Sequence, residues 1–286
     1  MMENLIAFFD GLESRPLLRL ALVAVPVLLL WFLENGFPLV RMQYQRSKGR
    51  HAVVNFAFTL MHFVVHGALA VALVAVADWC QRQQFGLVHW LQLPVWGILL
   101  AGVLSMDFFG GWLVHWVEHR VPLFWRIHIV HHADNNVDVS TGLRHHPLEA
   151  LNRWVFFTAG VFIMGLPVYA VLLGQTFMSM FTMLTHANIR LPEKLDKALS
   201  WLFVSPNMHK VHHHWKQPYT DSNYGTALSI WDRLLGTYRY LPPQEIHYGL
   251  DRYYDNDRDE DLLQLAKSPF EDAAEVHLPR ALQSGK

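Results

Sequence analysis

The sequence predicts an all-α integral membrane protein, from three observations: long apolar stretches, a scarcity of charge, and histidines repeated at helical spacing. Of 286 residues, 52% are hydrophobic and 16% charged. Soluble globular chains average about a quarter charged, so much of this surface faces something other than water. The formal net charge is −1, which gives a polyanion nothing to bind, and no nucleic-acid partner is expected. A single cysteine, Cys80, excludes an intrachain disulfide and any cysteine-rich metal site. The 18 histidines are the outlying number, and twelve of them lie between His115 and His214.

Four apolar stretches run from about Pro16 to Leu33, Ala52 to Ala77, Leu93 to Val117 and Trp154 to Leu184. About 20 apolar residues of helix cross a ~30 Å hydrocarbon core, so each of the first three is long enough to span once. The first follows acidic residues and lacks a basic leader or small-residue cleavage site, so it is expected to be a span rather than a signal peptide. The loop Glu34 to His51 carries Arg41, Arg46, Lys48 and Arg50, whereas the loop Asp78 to Gln92 carries only Arg82. The positive-inside bias makes the first loop cytoplasmic.

The fourth stretch is interrupted by Gly165, Leu166 and Pro167, and histidine clusters stand on both sides of it. One long tilted helix kinked at Pro167 satisfies the hydropathy. A hairpin turning near Gly165 to Pro167 does so as well, and it alone keeps both clusters on one side of the bilayer. Beyond about Arg190 the chain is water-compatible and ends in a charged tail, Asp251 to Lys286, expected to be a helical cap or partly disordered. The expected division is 1–92 for N-terminal transmembrane helices and basic loop, 93–240 for a histidine-box domain with hairpin 154–184, and 241–286 for the tail.

Three spacings carry the chemistry: His115 with His119 (HxxxH), His128 with His131 and His132 (HxxHH), and His209 with His212 and His213 (HxxHH). On an α-helix, positions i, i+3 and i+4 share a face, so each box aims its imidazoles towards one region. Pro122 separates the first two boxes and places them on consecutive helices that can converge. Imidazole suits iron, zinc, copper and nickel. Eight imidazoles are too many for one four-coordinate zinc and fit two metals with open positions. His62 and His66 repeat the HxxxH spacing inside the second span and read as packed or hydrogen-bonded helix residues. Phe108, Phe109, Trp112 and Trp116 read either as lipid-channel lining or as interfacial anchors.

These boxes resemble the fatty acid hydroxylase/sterol desaturase superfamily of integral-membrane diiron enzymes. The likeness extends over about Arg46 to Tyr238. It includes Asp107, the segment Ser140 to Glu149 (STGLRHHPLE), His186 with Asn188, and the runs Asp221 to Gly225 (DSNYG) and Trp231 to Tyr238 (WDRLLGTY). The resemblance implies transmembrane helices plus a cytosol-facing helical cap holding a dimetal site. The ligands it implies are His115, His119, His128, His131, His132, His209, His212 and His213, with His186 as a ninth. Supporting roles around them fall to Arg144, His146, Glu149 and Asn188, whereas His145 and His214 stand beside the motif positions. Where fatty acid 2-hydroxylases have a second HxxxH, this chain has Arg190 in the final position, which makes that branch a poorer match.

Two irons, which zinc can replace in a purified sample, would use O₂ to hydroxylate or desaturate a sterol, fatty acyl or ether lipid. No fused cytochrome b5-like domain is evident, so a separate cytochrome b5-, ferredoxin- or reductase-like donor is expected. The expected location is a bacterial inner membrane or the endoplasmic reticulum, with the histidines facing the cytoplasm. Two other classes remain. His115 to His119 also reads as H-x-x-E-H, in which Glu118 would be the general base of a zinc protease, but that leaves both HxxHH boxes unexplained. A metal transporter would string histidines along a path, whereas here the boxes fall at span ends.

Overall fold

The computed structural model describes residues 7–8, 11, 14–42, 44, 47–250 and 260–271. Among these residues the secondary structure is helical, with isolated bridges and no strand, in agreement with the predicted class. Helix α1 (Pro16–Gly36) starts on a proline, whose fixed φ suits the first turn, and takes the first predicted span. Helix α2 (Lys48–Gln83) is capped at its start by Ser47 Oγ, which accepts from the Arg50 amide, and it ends on Gln84 in the left-handed region. Its 36 residues make it about 54 Å long, far more than a ~30 Å hydrocarbon core needs. The surplus is its N-terminal end, where His51, Ala52, Val54, Asn55 and Phe58 are buried.

The short α3 (Leu87–Trp90) leads into a continuous rod made of α4 (Val95–Ser105), a π-helical stretch (Met106–Leu113) and α5 (Val114–Arg120). Helix α6 (Pro122–His132) begins directly at Pro122, so the first two histidine boxes lie on consecutive packed helices, as expected. Among the described residues, three helical stretches are long and apolar enough to cross a membrane: Lys48–Trp90, Val95–Arg120 and Val168–His186. Leu60, Val64 and Val71 are about 70% exposed (69%, 69% and 72%), which identifies the lipid-facing side of α2.

The fourth apolar stretch is a hairpin. Its outgoing limb α7 (Glu149–Met164) and returning limb α8 (Val168–His186) meet at Gly165, whose φ of 72° lets the chain reverse. Gly165 and Gly86 face each other backbone to backbone, a Cβ on either would collide, and the Gly165 carbonyl accepts from Gln81 Nε2 at 3.0 Å. The turn is thereby fixed to the 78–92 loop. The π-helical stretch packs on α7 and α4 packs on α8, so the rod stands between the limbs. A core of Leu73, Ala77, Met106, Phe157, Val161, Ala170 and Met178 seals these elements.

The remaining elements are a 3-10 turn (Val139–Leu143), α9 (Glu193–Leu199), α10 (Pro206–His212), α11 (Ile230–Leu234) and α12 (Leu262–Lys267). From the predicted tail, Leu262 and Leu265 of α12 pack with Val54, Phe58 and Ile129. Residues 251–259 and 272–286 of that tail lie outside the described residues.

Candidate metal centre

Local sequence places each box. Ser205 caps α10 by accepting from the Met208 amide, and Pro206 opens its first turn, so His209, His212 and His213 follow at the helix end. The π-helical stretch carries Asp107, whose carboxylate accepts from the Ala227 and Leu228 amides and from Trp231 Nε1. Insertions of this kind recur at functional sites, and this one ties the rod that bears His115 and His119 to the loop that faces them.

All nine implied histidines converge. One group contains His115, His119, His128, His132 and His212, and the other His131, His186, His209 and His213; within each, one ligand atom per residue lies within 4.8 Å of the rest. The groups adjoin, since the His132 and His213 rings stack at 4.7 Å between centroids. Nε2 of His132 lies 3.1 Å from that of His119 and 3.0 Å from that of His212. Nε2 of His186 lies 3.1, 2.9 and 3.2 Å from those of His131, His209 and His213. One proton cannot satisfy three converging nitrogens, but a cation can. At metal–nitrogen lengths of about 2.0–2.1 Å, two imidazoles at right angles on one ion put their nitrogens about 3 Å apart. His115 Nε2 and His128 Nε2 are buried without a hydrogen-bond partner, which suits nitrogens that donate to a metal ion. The residues therefore fit two metal ions with all-imidazole donor sets.

On six of the nine rings the opposite edge is oriented from outside, which fixes the tautomer that leaves Nε2 free. Nδ1 of His115 donates to the Tyr224 carbonyl at 2.9 Å, that of His212 to the Ser222 carbonyl at 2.7 Å, and that of His119 to Asp221 Oδ1 at 3.2 Å. Nδ1 of His128 donates to Glu149 Oε1 at 3.2 Å, that of His131 to the Arg144 carbonyl at 3.2 Å, and that of His186 to the Thr182 carbonyl at 2.7 Å. Burial holds His128 down at about 3 against the opposing pull of Glu149. Burial and neighbouring imidazoles hold His131, His132, His209, His212 and His213 well below the usual imidazole range. All are neutral near pH 7, the form that ligates metal.

The four supporting residues divide. Glu149 reaches His128 directly, and Arg144 serves His131 through its backbone carbonyl while its Nε donates to the Val130 carbonyl. Asn188 bonds no ring: its Oδ1 accepts from the Leu39 and Val40 amides, bracing the 37–42 loop against the end of α8. His146 is displaced too, accepting from the Leu148 amide and leaning on Phe58. His145, outside the motif set, is closer, stacking on His131 at 4.7 Å with its Nδ1 2.9 Å from Glu149 Oε1. His214 lies outside both groups and accepts from the His247 amide.

Sequence reasoning did not assign Asp107, Asp232 or the carbonyls of Ser222 and Tyr224. Asp232 accepts from the Tyr224 and Gly225 amides and from Trp112 Nε1, so it holds the carbonyl that orients His115. The DSNYG and WDRLLGTY runs were the signal, but a role played by a backbone carbonyl leaves no side-chain signature. A second network lies under the other group. The buried Lys210 ammonium, pushed down to about 7 by burial, donates to the His186 carbonyl. Burial by itself would raise the Asp134 carboxyl, yet His51 and Arg144 hold it well below the carboxylate range.

Glu118 is fully buried and accepts from Asn152 Nδ2 and Arg153 Nη2, both at 2.9 Å. A carboxylate closed off from solvent and paired with an arginine is poorly placed to activate a water, which counts against the protease reading. Trp112 is buried and bonded to Asp232, and Phe108 and Phe109 line a lateral groove with Trp96 and Leu100.

Residues 99–237 match the fatty acid hydroxylase family. The chain is 32% identical to alkylglycerol monooxygenase of Xenopus tropicalis over 149 residues, 51% of this chain and 31% of that protein. It is 27% identical to ornithine lipid hydroxylase OlsE of Rhizobium tropici over 174 residues, 61% of this chain and 50% of that protein. It is 24% identical to lathosterol oxidase of Mus musculus over 149 residues, 51% of this chain and 47% of that protein. The chain thus spans about a third to a half of the length of these relatives. No solved structure gives a significant match. The ordered histidine boxes, the domain match and these relatives agree that residues 99–237 form a domain of the fatty acid hydroxylase family.

Proposed function

We propose that the protein is a membrane-bound diiron oxygenase that hydroxylates or desaturates a lipid, using O₂ and an external one-electron donor. The observation that carries this reading is the pair of adjoining all-imidazole groups at the ends of apolar helices. His115, His119, His128, His132 and His212 would hold one iron, and His131, His186, His209 and His213 the other. Bound there, the pair supplies the redox chemistry by which O₂ attacks an unactivated C–H bond. The chain holds its imidazoles neutral and pre-oriented, keeps bulk water from the centre, and leaves a cavity from the centre into the spans.

The name of each relative describes oxidation of a lipid, which favours iron over the zinc that imidazoles also accept. The 37–42 loop packs beside Asn188 at the metal end, while the 78–92 loop meets the hairpin turn at the other end. With the basic loop cytoplasmic, the centre faces the cytoplasm of a bacterial inner membrane or the endoplasmic reticulum, where a cytochrome b5-, ferredoxin- or reductase-like donor has access. A transport path is disfavoured because the nine rings form one cluster at the span ends.

The test is metal analysis of the purified chain, O₂ uptake with a reductant and a lipid extract, and lipidomics of cells with and without the gene. About two irons per chain and a lipid that gains one oxygen or loses two hydrogens are expected. A single zinc with peptide cleavage abolished by Glu118→Gln, or metal flux in liposomes without O₂ consumption, would overturn the proposal.

A further inference from the structure

A cavity of about 230 Å³ opens beside the metal centre and extends between α2, α7 and α8. Its inner end is marked by Gly142, where a Cβ would stand 3.1 Å from His186 Nδ1, and by His145, stacked on His131. A channel for a plain hydrocarbon tail needs only apolar walls. This one also displays His62 and His66 from α2 and Gln175 from α8, all within stretches long and apolar enough to cross a membrane. Polar side chains at such depth are costly and mark function.

The His62 and His66 rings stack at 6.0 Å, and His62 lies 5.7 Å from the ring of His145, one imidazole removed from His131. His62 Nδ1 is buried without a partner, a cost that a bound acceptor or donor would remove. Arg153, the one cation on the wall among the described residues, is already paired with Glu118 at 2.9 Å and Glu149 at 2.7 Å, so it offers little to an anion. Stacking packs the two rings together as expected of helix residues, and it leaves His62 Nδ1 without a hydrogen bond.

We infer that the cavity selects an amphiphile with an uncharged hydrogen-bonding group, a hydroxyl, ether or amide, a few bonds from the carbon at the metal centre, and that His62, His66 and Gln175 recognise that group. The inference rests on the oxygenase proposal for the fate of the bound molecule, but binding is measurable without turnover.

The test is displacement of a fluorescent fatty alcohol from the metal-loaded full chain in detergent micelles by hexadecane, hexadecanol, O-hexadecylglycerol and hexadecanoate. Hexadecanol and O-hexadecylglycerol should displace it about tenfold better than hexadecane or hexadecanoate. The double variant His62→Leu/Gln175→Leu should lose that preference with metal content unchanged, whereas His62→Gln should keep it. No preference in the natural chain, or a full preference in the double variant, overturns the inference. Should the double variant lose its metal, Gln175→Leu alone decides, and an undiminished preference there overturns the inference too. Selective binding without lipid oxidation would defeat the oxygenase proposal alone, and oxidation without selectivity would defeat this inference alone.

Discussion

His131 and His132 are neighbours in the chain yet fall in different imidazole groups: His132 joins the group of five and His131 the group of four. Successive helix residues point about 100° apart, so one HxxHH box contributes to both groups. His128 and His132 serve the first group while His131 serves the second; in the other box His209 and His213 serve the second while His212 serves the first. The two boxes interlock with opposite assignments, and each helix bridges both positions.

This interlock predicts that His131→Ala and His132→Ala each lower the bound metal from about two to about one per chain and abolish lipid oxidation. Elemental analysis of the purified variants is the measurement. If His131→Ala and His212→Ala both retain two metals and full activity, the two-position assignment is wrong.

Glu149→Gln should weaken metal retention at the group of five by about 10–100-fold, the usual effect of removing a ligand's outer partner. Its carboxylate accepts from His128 Nδ1 and Arg153 Nε, at 3.2 and 2.7 Å, and the amide replaces an anion that both attract. A chelator titration reads this out. Unchanged retention would show that Glu149 neutralises Arg153 without steadying His128.

Asp232→Asn should lower stability by about 1.5–3 kcal/mol, the range for a bond to a charged group, and reduce metal occupancy. Asp232 Oδ1 and Oδ2 accept from the Tyr224 and Gly225 amides at 2.8 Å, and the Tyr224 carbonyl orients His115. Melting curves with and without metal separate the two effects. A stability loss with full occupancy would make Asp232 a purely structural residue.

Gly165→Ala and Gly236→Ala test the hairpin turn. Both glycines have positive φ, 72° and 73°, so both variants carry about 1–2 kcal/mol of backbone strain. Only at Gly165 does a new Cβ strike backbone, that of Phe85 and Gly86, while Gly236 has open space. Gly165→Ala should therefore be clearly the more destabilising in thermal melts. Equal costs would mean that the turn does not dock on the 78–92 loop.

Removing metal with a strong chelator should lower the melting temperature, because bound metal adds its binding free energy to folding and its loss leaves His115 and His128 Nε2 buried and unpartnered. Calorimetry before and after reconstitution checks it. An unchanged melting temperature would argue against a metal at these positions.

Much of the architecture was legible because membrane solvation and helix periodicity act locally. Apolar runs of about 20 residues announce spans, Pro122 and Pro206 open helices, and HxxHH spacing puts imidazoles on one side of a helix. The hairpin was legible only conditionally, through the requirement that both histidine clusters meet. The π-helical stretch at Met106–Leu113 was not legible at all, since it depends on packing against α7 and the 221–231 loop rather than on its own residue types.

The sequence by itself determined the helical membrane class, the set of nine histidines and the chemistry open to them, because ligand type and spacing are local properties. Only the tertiary structure decided which histidine serves which position, which carbonyl or carboxylate steadies each ring, and that His62 and His145, rather than Trp112 or Trp116, line the cavity beside the centre. Some of those relations join elements more than a hundred residues apart, such as His115 with Tyr224 and Asp107 with Trp231, and no residue carries in its own identity the partner that packing will bring to it.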